Sequence, residues 1–196
     1  MGGQGRTRPV KAVVALAVVA ACWSTTVGFA AGRAQAPPCR LSQFRVSAGP
    51  DWSEATGQHT LILRLTSRAR RTCSLDGFPR VTFYDRRGAI PFVINHRGDQ
   101  MIVRRRPQPV SVDPHHPVWI ALNKYRCDRG SRRRTTLIRI ARGGEPVHAP
   151  ATLALPSSTP LAERSPDYCG EGDPGSIVTV SPFASTFWQA MGRPKP

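Results

Sequence analysis

The sequence predicts an all-β sandwich, and three observations carry that prediction. From Leu41 onward apolar residues alternate with polar ones instead of recurring every three or four, which is the period of strands rather than helices. Turn-forming residues separate the apolar runs at intervals of roughly 8 to 12 residues, the spacing of a two-sheet β domain. Nineteen prolines leave little room for long helices.

The elements follow in order. A first strand is expected at Phe44 to Ser47, and the clearest one at HTLILRLTS, where Leu61, Leu63 and Leu65 face one way and Thr60, Ile62, Arg64 and Thr66 the other. Further strands are expected at Val81 to Tyr84, Ile90 to Ile94, Met101 to Arg105, Val110 to Val112, Val118 to Leu122, Thr136 to Ile140, Ala151 to Leu155 and Ile177 to Val180. DRRG, Asp85 to Gly88, reads as a hairpin loop with Gly88 supplying a positive φ. Pro156 to Pro174 reads as a long polar loop that buries little, and Phe183, Phe187 and Trp188 lie in a C-terminal tail that either folds back on the sandwich or stays free of it.

Ahead of the strands, residues 1 to 36 have the three parts of a secretory signal: Arg6, Arg8 and Lys11, an uncharged run from Ala12 to Gly32, and an Ala-rich exit. Cleavage after Ala30 or Ala34 is the favoured route. Two others compete with it: a lipobox-like Val19, Ala20, Ala21, Cys22 that would place a lipid on Cys22, and an uncleaved single span. The division is then 1–36 signal or anchor, 37–182 β domain, and 183–196 tail.

Four cysteines follow the signal, Cys39, Cys73, Cys127 and Cys169, with no CxxC and no His at metal-site spacing. An even number in an exported chain reads as two disulfides, for which three connectivities are open. The chain carries 28 Lys plus Arg against 12 Asp plus Glu, and all but Lys11, Lys124 and Lys195 of the basic residues are Arg. Loss of Arg6, Arg8 and Lys11 would still leave +13. A body so basic is attracted to anionic lipid headgroups or envelope polymers, and salt weakens the attraction.

Cys39 before a first strand, the strand at Thr60 to Thr66, the segment CSLDGFP from Cys73 to Pro79, the hairpin VTFYDRRG and two later cysteines together resemble domain of unknown function 4232, found in exported and lipid-anchored proteins of actinobacteria. The resemblance spans about residues 39 to 182. Its most specific part is the order Cys73, Leu75, Gly77, Phe78, Pro79. It implies an immunoglobulin-like antiparallel β-sandwich, Cys39 bridged to Cys73 and Cys127 to Cys169, and no assigned activity. Those bridges would close loops of about 35 and 43 residues, each removing unfolded-state entropy worth about 4 kcal/mol. Independently of the family, Gly77 permits a tight turn, Phe78 can cover a bridge, and Pro79 stops the turn from becoming a helix. The chain departs from the family before VWIAL, where Pro114, His115, His116 and Pro117 replace a Pro-Gly turn.

Catalytic patterns are missing: there is no GxSxG, HExxH or GxxxxGK. The expected function is a binding or structural module without catalysis or cofactor, and the alternative is an envelope enzyme with an unrecognised site. His115 and His116 project to opposite sides of an extended chain and read as a solvated turn, and Asp167, Glu171 and Asp173 lack calcium-loop spacing. Functional weight falls on three Arg clusters: Arg68, Arg70 and Arg71; Arg104, Arg105 and Arg106; and Arg132, Arg133 and Arg134. Guanidinium groups grip phosphate and carboxylate with two parallel hydrogen bonds, so convergence of these clusters would make an anion site. Consecutive Arg residues on a strand would instead be split between two faces. The partner class is an anionic envelope polymer or a lipid surface. Nucleic acid is disfavoured, because no stacking aromatics are interleaved with the Arg runs.

Overall fold

A computed structural model describes residues 36–52, 57–128, 130–143, 150–155 and 164–195. The expected export segment, Cys22 included, lies outside the described residues except for Ala36, as does part of the polar loop.

Among the described residues, alternation of apolar residues produces thirteen short strands: β1 Phe44–Ala48, β2 Gln58–Ser67, β3 Cys73–Leu75, β4 Arg80–Asp85, β5 Gly88–Ile90, β6 Val93–Asn95, β7 Val110–Val112, β8 Val118–Tyr125, β9 Arg133–Arg134, β10 Leu137–Ala141, β11 Ala151–Ala154, β12 Asp167–Tyr168 and β13 Ile177–Val180. They form a five-stranded sheet, β1-β2-β8-β13-β6, a four-stranded sheet, β11-β10-β4-β5, and two ribbons, β9-β12 and β3-β7. Among the described residues the fold is therefore β apart from two 3-10 turns and one four-residue helix, α1, at Phe187–Ala190.

Leu61, Leu63 and Leu65 of β2, Ile120 and Leu122 of β8, Val81 and Phe83 of β4, and Ile138 and Ile140 of β10 are buried in one hydrophobic cluster. Both larger sheets thus contribute their alternate residues to a common core. Two disulfides join Cys39 to Cys73 and Cys127 to Cys169, the connectivity that the family resemblance implies. They fit an oxidising compartment. Among the described residues no helix is long and apolar enough to cross a membrane.

Several expectations need correction. The run Ile90 to Ile94 is two strands in different sheets, because Pro91 has no N–H to donate to a ladder and the chain passes from the four-stranded to the five-stranded sheet there. Phe92, at the crossing, packs edge-on against Phe83 and Tyr168. The following strand, β6, runs parallel to β13, so the sheet is not wholly antiparallel. Met101 to Arg105 is a loop, since Asp99 Oδ1 accepts from the backbone N–H groups of Met101 and Ile102 and holds a turn against strand formation. Its Met101 and Ile102 are nevertheless buried.

They are buried because β2 is covered on both faces. Ile62 pairs across the sheet with Ala121, and both join Met101, Ile102, Ala184, Ala190 and Met191 in a second cluster on the outer face, flanked by Trp52, Trp119 and Phe187. Trp119 and Ala184 exchange backbone hydrogen bonds of 2.8 and 3.1 Å, and Val103 N–H donates to Met191 O. The residues after Pro182 thus pack on the sheet. Next to this cluster Thr60 Oγ1 donates to Asn123 Oδ1 at 2.7 Å, and Asn123 Nδ2 donates to Gln58 Oε1 and Asp99 Oδ2. The polar loop also buries more than expected: Ser165, Tyr168 and Cys169 are inside, and β12 pairs with β9.

Candidate functional site

The inward row of β2 runs Leu65, Leu63, Leu61, His59, and its cross-strand partners on β8 run Val118, Ile120, Leu122, Lys124. Period-two alternation therefore carries an imidazole and an ammonium inward at the end of the core. Lys124 and Cys127 with His59, Arg134, Ser165 and Asp167 line a cleft of about 380 Å³ beside the second disulfide. Lys124 is only 4% exposed. Its Nζ donates to Tyr125 O and lies 3.7 Å from Cys169 Sγ. Burial lowers its pKa from 10.5 to about 8 against the opposing pull of Asp167 and Asp173. His59 Nε2 and Asp167 Oδ1 are buried without a hydrogen-bond partner, and Arg134 Nε stands 3.7 Å from that carboxylate oxygen. Neither His59 nor Lys124 stands out in the sequence by motif. The signal that finds them is their place in an inward-facing register, where a polar residue continues an apolar row.

The three Arg clusters go to different places. Arg70 and Arg71 line an open groove of about 510 Å³ together with Arg40, Pro37, Pro38 and Cys73. All three arginines are exposed. The groove is fixed by backbone bonds from Cys39 N–H to Ser74 O and from Ser74 N–H to Pro37 O, which lash the incoming chain to β3 next to the first bridge. Arg68 anchors the neighbouring turn by donating its backbone N–H to Gln43 O. Arg40 was not distinguishable in sequence, since it lies about 30 residues from the run it joins.

Arg104, Arg105 and Arg106 lie in the loop before β7, and Arg105 Nη1 donates to Gln189 O at 3.0 Å. Arg105 and Arg106 border a separate cleft with Phe183 and Gln189. Arg132, Arg133 and Arg134 diverge. Arg133 forms a two-pronged pair with Asp85, Nε to Oδ2 at 2.7 Å and Nη2 to Oδ1 at 2.6 Å, and also donates to Gly88 O and Ala89 O. The Arg133 hydrogen bonds hold the Asp85 carboxyl down at about 2. Arg133 thus ties the β4–β5 hairpin to β9 rather than facing a ligand. Arg132 borders a third cleft with Glu171 and Asp173, and Arg134 faces Asp167.

His115 and His116 occupy a turn between β7 and β8, where Asp113 Oδ1 accepts from both backbone N–H groups and Asp113 Oδ2 lies 2.8 Å from His116 Nδ1. That ring contact and the backbone donors lower the Asp113 pKa. Asp173 accepts from Gly175 N–H to start a 3-10 turn. Among the described residues no three His, Cys, Asp or Glu side chains are grouped to hold a metal ion. Gly77 has the positive φ its turn requires, 77°. Phe78 stacks on His96 with ring centroids 4.2 Å apart.

No curated protein and no solved structure matches the chain. One family, described as domain of unknown function (DUF4232), matches residues 39–184. That span begins at the first bridging cysteine, includes both disulfides, and ends where Ala184 closes its hydrogen bonds onto β8. The chain belongs to the family of domains of unknown function designated DUF4232.

Proposed function

We propose that the chain is an exported module with an immunoglobulin-like sandwich fold, acting outside the cytoplasmic membrane to hold anionic groups of the cell envelope, without catalysis of its own. The core common to two sheets and the two disulfides support the architecture and the compartment. One observation carries the ligand class: Arg40, Arg70 and Arg71, all exposed, surround a single groove at Pro37 and Pro38. Residues 1–36 join the fold covalently at that groove. A retained span, or a lipid on Cys22, would therefore hold this basic end within tens of residues of the headgroups, and a cleaved chain would present the same groove to envelope phosphates.

Co-sedimentation with vesicles tests the reading. The protein should bind phosphatidylglycerol-rich vesicles and not phosphatidylcholine vesicles. Replacing Arg40, Arg70 and Arg71 by Ala should weaken binding by on the order of a hundredfold, at about 1 kcal/mol per basic residue near an anionic surface. Equal binding by the variant would refute the assignment of the groove.

The enzyme alternative draws on the other cleft, where Lys124 with its lowered pKa stands near His59 and Asp167. It requires turnover of an envelope substrate that Lys124→Met abolishes while the fold is retained.

A further inference from the structure

The second disulfide is asymmetric in its surroundings. Cys127 is half-buried and lines the cleft, whereas Cys169 is 4% exposed and its sulfur lies 3.7 Å from Lys124 Nζ. Cys169 Sγ is also packed so tightly against the 3-10 turn that a Cβ at Gly175 would collide with it. Cys169 also borders the third cleft, but it is nearly enclosed there beside the carboxylates of Glu171 and Asp173, so Cys127 is the more open of the two cysteines to an incoming anionic group. Thiol–disulfide exchange speeds up as the departing thiolate becomes less basic, and a cation next to the sulfur makes it so. Lys124 is where such a cation is needed, on the sulfur that would leave.

We propose that the Cys127–Cys169 bridge is a thiol-exchange site for small anionic thiols. The external thiolate attacks Cys127 Sγ and forms a new S–S bond to it. The Cys127–Cys169 bond breaks, and its electron pair departs on Cys169 Sγ as a thiolate opposite the Lys124 ammonium. No net oxidant is consumed: one disulfide is replaced by another, and the negative charge moves from the thiol to Cys169. Arg126 and Arg134 at the cleft favour an anionic thiol, and Asp167, which faces Arg134, only partly offsets them. The first bridge serves as the comparison: Cys73 borders the Arg40, Arg70 and Arg71 groove, but both of its cysteines are buried, at 2% and 7% exposed, whereas Cys127 is half-buried.

The test incubates the oxidised full chain with reduced glutathione and, separately, with cysteamine at equal thiolate concentration. Iodoacetamide quenches the exchange, and peptide masses locate the adducts. The expected result is glutathione on Cys127, carbamidomethyl on Cys169, an intact Cys39–Cys73 bridge, and slower reaction with the cationic thiol. Lys124→Gln should slow the exchange by about tenfold, and Lys124→Arg should restore it. Glutathione on Cys169, opening of Cys39–Cys73 at an equal rate, or an unchanged rate in Lys124→Gln would each overturn the proposal. If Lys124→Gln fails to fold, the position of the adduct in the unaltered protein still decides it.

Discussion

Replacing Ile62 by Ala tests whether the five-stranded sheet is covered on its outer face. Ile62 is 0% exposed and lies in the cluster with Met101, Ile102, Ala184 and Met191, on the opposite face of β2 from Leu61 and Leu63. Removing buried aliphatic carbons at a site that cannot collapse costs about 2 to 5 kcal/mol. The covering segment is held by the backbone hydrogen bonds that Ala184 exchanges with Trp119 and by Met191 O accepting from Val103 N–H, which restrict its collapse, so about 3 kcal/mol is expected. In urea, with a slope near 2 kcal/mol per M, the midpoint should fall by about 1.5 M. Met191→Ala, also 0% exposed, should lower it comparably. Arg45→Ala, on the exposed side of β1, should leave it within about 0.25 M. Non-reducing urea titrations followed by tryptophan fluorescence measure all three. If Met191→Ala behaves like Arg45→Ala, the residues after Pro182 do not cover the sheet, and the reasoning fails.

Three further outcomes follow from the same contacts. Replacing either cysteine pair by Ser should cost about 4 kcal/mol, since the bridges close loops with sequence separations of 34 and 42 and loop length enters only as a logarithm; a large inequality in calorimetry would refute that entropic account. The Asp85 pKa is depressed from 3.8 to about 2 in the folded protein, so its pair with Arg133 stabilises above pH 4 and the contribution is lost as pH falls toward 2; Asp85→Asn should flatten the stability profile across that window. Lys124 binds its proton less tightly folded than unfolded, so the protein should gain stability as pH rises from 8 to 10, and Lys124→Met should remove that gain.

What could be read in the sequence was whatever depends on local period. The inward row of Leu61, Leu63 and Leu65 and the turns at Gly77 and Gly88 follow from alternation and from backbone sterics, and the structure has them in place. The break at Pro91 was equally local, but an apolar run outweighed a single missing N–H. Met101 and Ile102 misled because burial under a covering tail gives a loop the same apolar composition as a strand. The candidate sites were harder because they are built by distant residues. Asp85 claims Arg133 across 48 positions, and Arg40 joins Arg70 and Arg71 only once the first disulfide and β3 bring Pro37 alongside. Lys124 lies beyond the strand expected at Val118 to Leu122, and only the register that pairs it with His59 turns it inward.

Retention on isolated cell envelopes as salt is raised is the most direct test of the proposal that Arg40, Arg70 and Arg71 grip anionic groups. The variant with these three replaced by Ala should elute at markedly lower salt than the unaltered protein, while Arg104→Ala with Arg106→Ala, exposed residues elsewhere, should shift elution far less. Shifts merely in proportion to the three and two charges removed would mean that net charge alone holds the protein there, and that the groove is not its binding site.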